Sequence, residues 1–167
     1  MNFLPISINI EDETILIIGG GHLAVHKVES LERFTHKIKV IATNVVPELL
    51  DRSFVEVEQK QYEPSDLEGH LLVYAATNNK DLNEEIRRDG KRFRCIVNVV
   101  DKPQHCDFVS PAIFRQGNMT VAVSSNGENV YAAIKWRNQI REMANAGTLF
   151  QLETKEVYRQ EFLNKTE

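Results

Sequence analysis

The chain has 167 residues, 42% hydrophobic and 26% charged, which suits one compact domain plus an appendage and is enough to bury a core without disulfide or metal staples. Twenty Lys and Arg against 24 Asp and Glu leave a net charge of −4, so the basic footprint of a general nucleic-acid binder is missing. No run of about 18 apolar residues marks a membrane helix, and residues 1–7 (MNFLPIS) lack the basic and apolar regions of a signal peptide. Cys95 and Cys106 form no CxxC pair. Together these features predict reduced thiols and a cytoplasmic location, with neither nucleic acid nor membrane as partner.

Ile6, Ile8 and Ile10 alternate with polar residues, which predicts a short edge strand. Residues 14–18 (TILII) are a continuous apolar run between charge and glycine, the pattern of a strand buried on both faces. Gly19-Gly20-Gly21 follows, and then Leu23, Ala24, Val28, Leu31 and Phe34 recur at helical spacing. Residues 38–42 give a second strand, Pro47 opens a short helix through Leu50, residues 54–58 alternate as a strand, and residues 71–76 are another buried run. A charged amphipathic helix runs from near Asn79 to Arg92, and residues 95–100 form a further buried strand ending at Asp101. Strands alternating with helices predict an α/β fold with a mostly parallel sheet.

After Pro111 the pattern changes. Residues 112–115 and 119–124 flank Gln116-Gly117-Asn118 as a hairpin, and residues 129–162 are helical with a break near Gly147. The predicted organisation is a nucleotide-binding unit over 1–111, a small α+β dimerisation and substrate unit over 112–146, and a short helical segment over 147–167. Val130, Ile134, Ile140 and Met143 form an apolar stripe that a chain this short does not cover alone, so a homodimer is expected, with twofold symmetry as the default.

Gly19-Gly20-Gly21-His22-Leu23-Ala24 fits GxGxxA, directly after a strand and at the opening of a helix. In that setting Gly19 permits the tight turn, Gly21 lets the backbone approach a pyrophosphate, and Ala24 lets the helix pack close to the strand. Free N–H groups at the helix start then face the phosphates. The motif predicts a Rossmann-like dinucleotide site. The acidic residue expected about 20 positions on is absent. The second strand instead ends in Thr43 and Asn44, which suit ribose hydroxyls, and no arginine there favours a 2′-phosphate, so this strand end leaves NAD and NADP undistinguished.

In open α/β sheets ligands lie beyond the carboxyl ends of the strands. That singles out Thr77-Asn78-Asn79, Asn98 with Asp101, and the turn Ser124-Ser125-Asn126-Gly127. Asp101 is the best acid–base candidate, because apolar walls raise a carboxylate's pKa; a turn or helix cap beside Pro103 is the alternative role. Thr77 and Asn78 are equally placed to cap the helix that follows. His22 and His26 are spaced i, i+4 but lack an HExxH glutamate, and His105, Cys106 and Asp107 read as loop polar groups, so no resident metal is predicted.

Several stretches together carry a family resemblance. They are Phe3-Leu4-Pro5-Ile6, GGGHLA with Lys27, Ala75-Ala76-Thr77-Asn78 with Asn83, Asn98-Val99-Val100-Asp101 followed by Phe108 and Pro111-Ala112-Ile113, and Val121-Ala122-Val123-Ser124-Ser125. This set resembles the precorrin-2 dehydrogenases, which include the amino-terminal part of multifunctional siroheme synthase, in order from about residue 3 to residue 137. The resemblance implies a Rossmann-like domain, a dimerisation unit and a helical segment. It also implies NAD-dependent oxidation of precorrin-2 to sirohydrochlorin. Some members also insert ferrous iron to give siroheme, which would add iron(II) as a partner. Nicotinamide-nucleotide contacts would fall on His22, Leu23, Thr43 and Asn44. The family's essential aspartate would fall on Asp101, and a serine modified in some members, at the tetrapyrrole pocket, on Ser125.

A polycarboxylate substrate needs local cations in a protein of net charge −4. Arg115 and Lys135, which flank the Ser124-Ser125 turn in sequence, are the candidates. The run Arg87, Arg88, Lys91, Arg92 and Arg94 reads more simply as a solvated helix face. The alternative to a dehydrogenase is a regulatory or accessory module that binds nucleotide or tetrapyrrole with little catalysis.

Overall fold

The continuous apolar runs of the first hundred residues become the strands of one sheet. In the computed structural model, which describes residues 2–100 and 102–149, β1 (Ile15–Ile18), β2 (Ile38–Ala42), β3 (Val55–Gln59), β4 (Leu72–Ala75) and β5 (Ile96–Val99) are parallel throughout, in the order β3-β2-β1-β4-β5. Residues of β1 alternate between two cores. Ile15 and Ile17 meet Ala24 and Val28 of α1 (His22–Leu31) and Leu49 of α2 (Pro47–Leu50). Leu16 and Ile18 meet Ile86 of α3 (Lys80–Phe93) and Leu67 of the 3-10 turn Pro64–Leu67. Both faces are therefore covered, which is why β1 is apolar at every position; each such side chain contributes about 1.5–3 kcal/mol on burial.

The chain winds from β1 outward to β3, then crosses back to place β4 on the other side of β1. The strand order reverses between β1 and β4, and in this class of sheet that crevice is where ligands bind. Helix α3 begins at the carboxyl edge, where Asn79 Oδ1 accepts from the N–H groups of Asp81 (3.0 Å) and Leu82 (3.2 Å). It ends at Arg94, in the left-handed conformation with φ 61°. Fourteen residues at about 1.5 Å each carry Lys91 and Arg92, in its last turn, to the opposite edge of the sheet, where cations complement the helix dipole.

Three segments differ from the sequence reading. Residues 2–10 form no strand; Ile8 and Ile10 lie partly buried on the core while Ile6 is exposed, so the alternation marks a segment that lays down side chains without joining a ladder. The 3-10 turns Pro64–Leu67 and Pro103–His105 each open on a proline and carry no periodicity to announce them.

The chain divides into two units, Met1–Val109 and Ser110–Glu167. In the second, β6 (Ala112–Gln116) and β7 (Met119–Val123) pair antiparallel through a turn with Gly117 at φ 56°. Helix α4 (Val130–Asn145) packs on both strands. Asn129 caps it, accepting from the Ala132 N–H at 2.9 Å, and it stops just before Gly147 (φ 69°). The helix expected to continue to residue 162 lies, from residue 150 on, outside the described residues. Among the described residues of this unit Ala133 alone is buried, while Tyr131 is 87% and Trp136 64% exposed.

Candidate nucleotide-binding site

Three glycines close the carboxyl end of β1, each for a different reason. Gly19 has φ +126°, and a Cβ there would stand 2.4 Å from the Ala76 carbonyl oxygen. Gly20 has ordinary dihedral freedom, yet a Cβ would stand 2.2 Å from the Asn44 carbonyl oxygen. Backbone bonds tie the same three strand ends together: Gly19 N–H to Ile41 O (2.9 Å), Val46 N–H to Gly20 O (2.9 Å) and Ala76 N–H to Ile18 O (2.8 Å). Gly20 is a residue the motif leaves unspecified, and its constraint comes from the end of β2.

Gly21 is different. It caps α1 at φ −95°, ψ −170°, extended backbone open to any residue, and a Cβ would meet nothing within 4 Å. Folding does not demand glycine here. The space a side chain would fill lies at the start of α1, where the N–H groups of His22 and Leu23 have no acceptor within the helix. Ala24 and Val25 donate back to Gly21 O at 3.0 and 3.2 Å, so the first turn is regular and its dipole points at the open space. Ala24 is fully buried, as close packing of helix on strand requires. This cradle fits a pyrophosphate.

Around it, the exposed Thr43 and Asn44 bond each other, Asn44 Nδ2 donating to Thr43 Oγ1 at 3.3 Å. The exposed His22 ring lies 4.0 Å from the Glu48 carboxylate. Thr77, after β4, is held by the buried Asn83 of α3: Asn83 Oδ1 accepts from the Thr77 N–H (3.3 Å) and hydroxyl (2.7 Å), and Asn83 Nδ2 donates to Thr77 O (2.9 Å). Asn79, rather than Thr77, caps α3. Replacing Asn83 with alanine leaves the Thr77 backbone groups unpaired in a half-buried site. The expected cost is about 1–3 kcal/mol, read as a lowered melting temperature.

At the end of β5 the motif residues converge. Buried Asn98 donates through Nδ2 to Phe108 O (2.9 Å), and its Oδ1 is buried with no hydrogen-bond partner. Phe108 meets the Tyr74 ring edge-on at 5.4 Å, and Lys27 Nζ sits 5.4 Å from the same ring. Asp107 Oδ2 accepts from the Val97 N–H at 3.0 Å. Burial pushes the Cys106 thiol above its ordinary pKa, and its sulfur lies against the Val99 N–H and carbonyl, both at 3.2 Å. Among the described residues no three His, Cys, Asp or Glu side chains cluster as a metal site. Asp101 lies outside the described residues.

The remaining candidates belong to the second unit. Ser124 Oγ accepts from the Asn126 N–H (3.3 Å), and Ser125 Oγ accepts from the Asn129 N–H (2.9 Å), so both hydroxyls shape the entry to α4. Arg115 is exposed on β6, donating through Nε to Gly117 O at 3.3 Å, and Lys135 is exposed on α4. Arg137 instead reaches the hairpin, donating to Ile113 O at 3.1 Å.

A doubly wound parallel sheet, a glycine turn where its strand order reverses and an open helix amino terminus define a dinucleotide-binding protein. Residues 6–112 match the family described as "Putative NAD(P)-binding", and the chain belongs to it. The ligand class is therefore a nicotinamide dinucleotide. Among curated proteins the chain is 36% identical over 157 residues to a siroheme synthase of Methylococcus capsulatus, covering 91% of this chain and 33% of that one. It is 35% identical over 131 residues to a siroheme synthase of Baumannia cicadellinicola, covering 77% of this chain and 28% of that one. The chain thus spans about a third of the length of the curated relatives it matches. Among solved structures, SirC, a precorrin-2 dehydrogenase, superposes with a TM-score of 0.69 at 19% identity, over 86% of this chain and 71% of that one. At that identity the likeness bears on the fold, which is Rossmann-like α/β. No described helix is long and apolar enough to cross a membrane.

Proposed function

We propose that this chain oxidises precorrin-2 to sirohydrochlorin with NAD+ as the hydride acceptor, in the cytoplasm, where the free Cys95 and Cys106 stay reduced. What carries the reading is a coincidence: a phosphate cradle left open at Gly21, in a chain 36% identical to a siroheme synthase over nearly its whole length. When bound, the nicotinamide ring supplies the acceptor for a hydride. The chain's own residues do the rest. Gly21 and the start of α1, with the His22 and Leu23 N–H groups, hold the pyrophosphate; Gly19 and Thr77 fix the backbone on either side of the crevice. Asp101 takes the proton that leaves the macrocycle as the hydride departs. Ser124, Ser125, Arg115 and Lys135 contact the substrate, the arginine suited to a carboxylate by paired hydrogen bonds.

Charge favours NAD over NADP. Lys60 follows β3 directly and donates its N–H to Ala42 O, at the end of β2, at 3.1 Å. Its Nζ already faces three carboxylates: Asp66 at 2.6 Å, Glu63 at 3.2 Å and Glu58 at 3.8 Å. A ribose 2′-phosphate would meet net negative charge there, whereas ribose hydroxyls bond Thr43 and Asn44 without penalty. Mixing the protein anaerobically with precorrin-2 and NAD+ is expected to yield NADH and sirohydrochlorin in equal amounts, and NADP+ is expected to serve at least about tenfold less well, a difference of roughly 1.4 kcal/mol. Nucleotide and substrate binding without turnover would overturn the proposal and leave an accessory module.

The second unit, with Tyr131 and Trp136 exposed, is proposed as the surface that pairs with a second copy. Sedimentation equilibrium should then give twice the 19.1 kDa chain mass; a monomer at micromolar concentration removes this part of the proposal.

A further inference from the structure

We propose that Glu84 is a positioning residue that fastens the loop following Asp101 to α3; the proposal rests on the reading of Asp101 as proton acceptor. Glu84 lies in the second turn of α3. Its carboxylate oxygen Oε1 is 3.7 Å from Lys102 Nζ and is bonded by His105 Nδ1. Lys102 is the next residue after Asp101 in the chain, and His105 closes the 3-10 turn Pro103–His105. The three side chains are only 32%, 28% and 33% exposed, so the cluster is partly withdrawn from water, unlike the surface pairs that contribute almost nothing.

The other side of the loop is fastened to β5. Lys102 N–H donates to Val99 O (3.1 Å), and Asp107 exchanges two bonds with Val97, N–H to O at 2.9 Å and Oδ2 from N–H at 3.0 Å. The Cys106 sulfur bridges Val99 O (3.2 Å) and Lys102 O (3.3 Å). Segment 102–107 is thus held to the sheet by backbone and thiol, and to α3 through one carboxylate. The charged groups facing that carboxylate are His105 and Lys102 from the loop and Arg87 from the next turn of α3. Arg87 Nε is buried with no hydrogen-bond partner, and the Arg87 charge acts on the Glu84 carboxyl. Burial pushes the Glu84 carboxyl up, but the His105 bond and the neighbouring Lys102 and Arg87 charges outweigh this and hold it below its ordinary pKa. With Glu84 neutral, Lys102 and His105 lose the carboxylate they share and the loop is free to shift. A displacement of about 1 Å at a reacting group costs up to about 100-fold in rate.

The folded-state pKa is lowered, so the clamp is intact above the ordinary glutamate pKa and is lost as pH falls through the lowered value. The test compares the full chain with Glu84→Gln, Glu84→Asp, Asp101→Ala and the double variant Glu84→Gln with Asp101→Ala. Turnover is measured against pH, and amide hydrogen exchange is followed across residues 102–107. Glu84→Gln is expected to lower kcat about tenfold, leave KM for NAD+ unchanged, remove part of the acid limb of the pH profile and speed exchange at the amides of residues 105–107. Glu84→Asp should recover part of kcat, and Glu84→Gln should add nothing to Asp101→Ala. Unchanged exchange in Glu84→Gln overturns the clamp whatever Asp101 does. So does parental kcat in Glu84→Gln beside an inactive Asp101→Ala. Full activity in Asp101→Ala, with exchange in Glu84→Gln accelerated, overturns the reading of Asp101 instead.

Discussion

Gly21→Ser is expected to fold as well as the parent chain and to bind nicotinamide nucleotide at least about tenfold more weakly, a loss of roughly 1.4 kcal/mol. Gly21 adopts extended dihedrals that serine takes freely, and its Cβ would meet no atom within 4 Å. Serine is also among the best helix caps, so α1 loses nothing and gains a side-chain acceptor for its first turn. The added side chain instead occupies the space in front of the His22 and Leu23 N–H groups, where the pyrophosphate must come close. Gly19→Ala reverses the pattern. It forces a β-carbon to 2.4 Å from the Ala76 carbonyl oxygen at φ +126°, and is expected to destabilise the fold by about 2–4 kcal/mol through strain and overpacking. Calorimetric unfolding and nucleotide titration of the two variants separate the roles. If Gly21→Ser bound as tightly as the parent chain, the phosphates would have to lie elsewhere.

The two glycines also show how far sequence carried the fold. GxGxxA after an apolar run was legible because both its parts are local: a strand buried on two faces, then a helix whose first turn is bare. The need for Gly20 was not, because the atom that excludes a side chain there is Asn44 O, at the end of another strand. Asn83 stood out only through family resemblance; its reason, three hydrogen bonds to Thr77, appears once α3 folds back over the end of β4. Glu84 lies about 20 residues before Lys102 and His105 with no shared period, so nothing in the sequence linked them. The alternation of Ile6, Ile8 and Ile10 misled for the opposite reason, since a period of two describes which side chains face the core and not whether the backbone finds a partner strand. The run from Arg87 to Arg94 reads as a solvated helix face, which holds for the exposed Lys91 and Arg92 but not for Arg87, whose Nε is buried; α3 runs against the strands, which carries Lys91 and Arg92 to the edge away from the glycine turn.

Asp101→Asn is expected to cut kcat by about 10²–10⁴ while leaving nucleotide affinity within about twofold of the parent chain. The substitution keeps the shape of the side chain and removes its capacity to accept a proton. The phosphate cradle is built from Gly21 and the start of α1, so affinity for the dinucleotide has no reason to change. Loss of a hydride alone leaves the macrocycle with a positive charge that only proton loss relieves, so removal of the acceptor stalls the reaction after binding. Anaerobic single-turnover measurements of NADH formation, with nucleotide affinity titrated separately, read both quantities. A variant that turned over at the parental rate would move the proton-accepting role from Asp101 to another group.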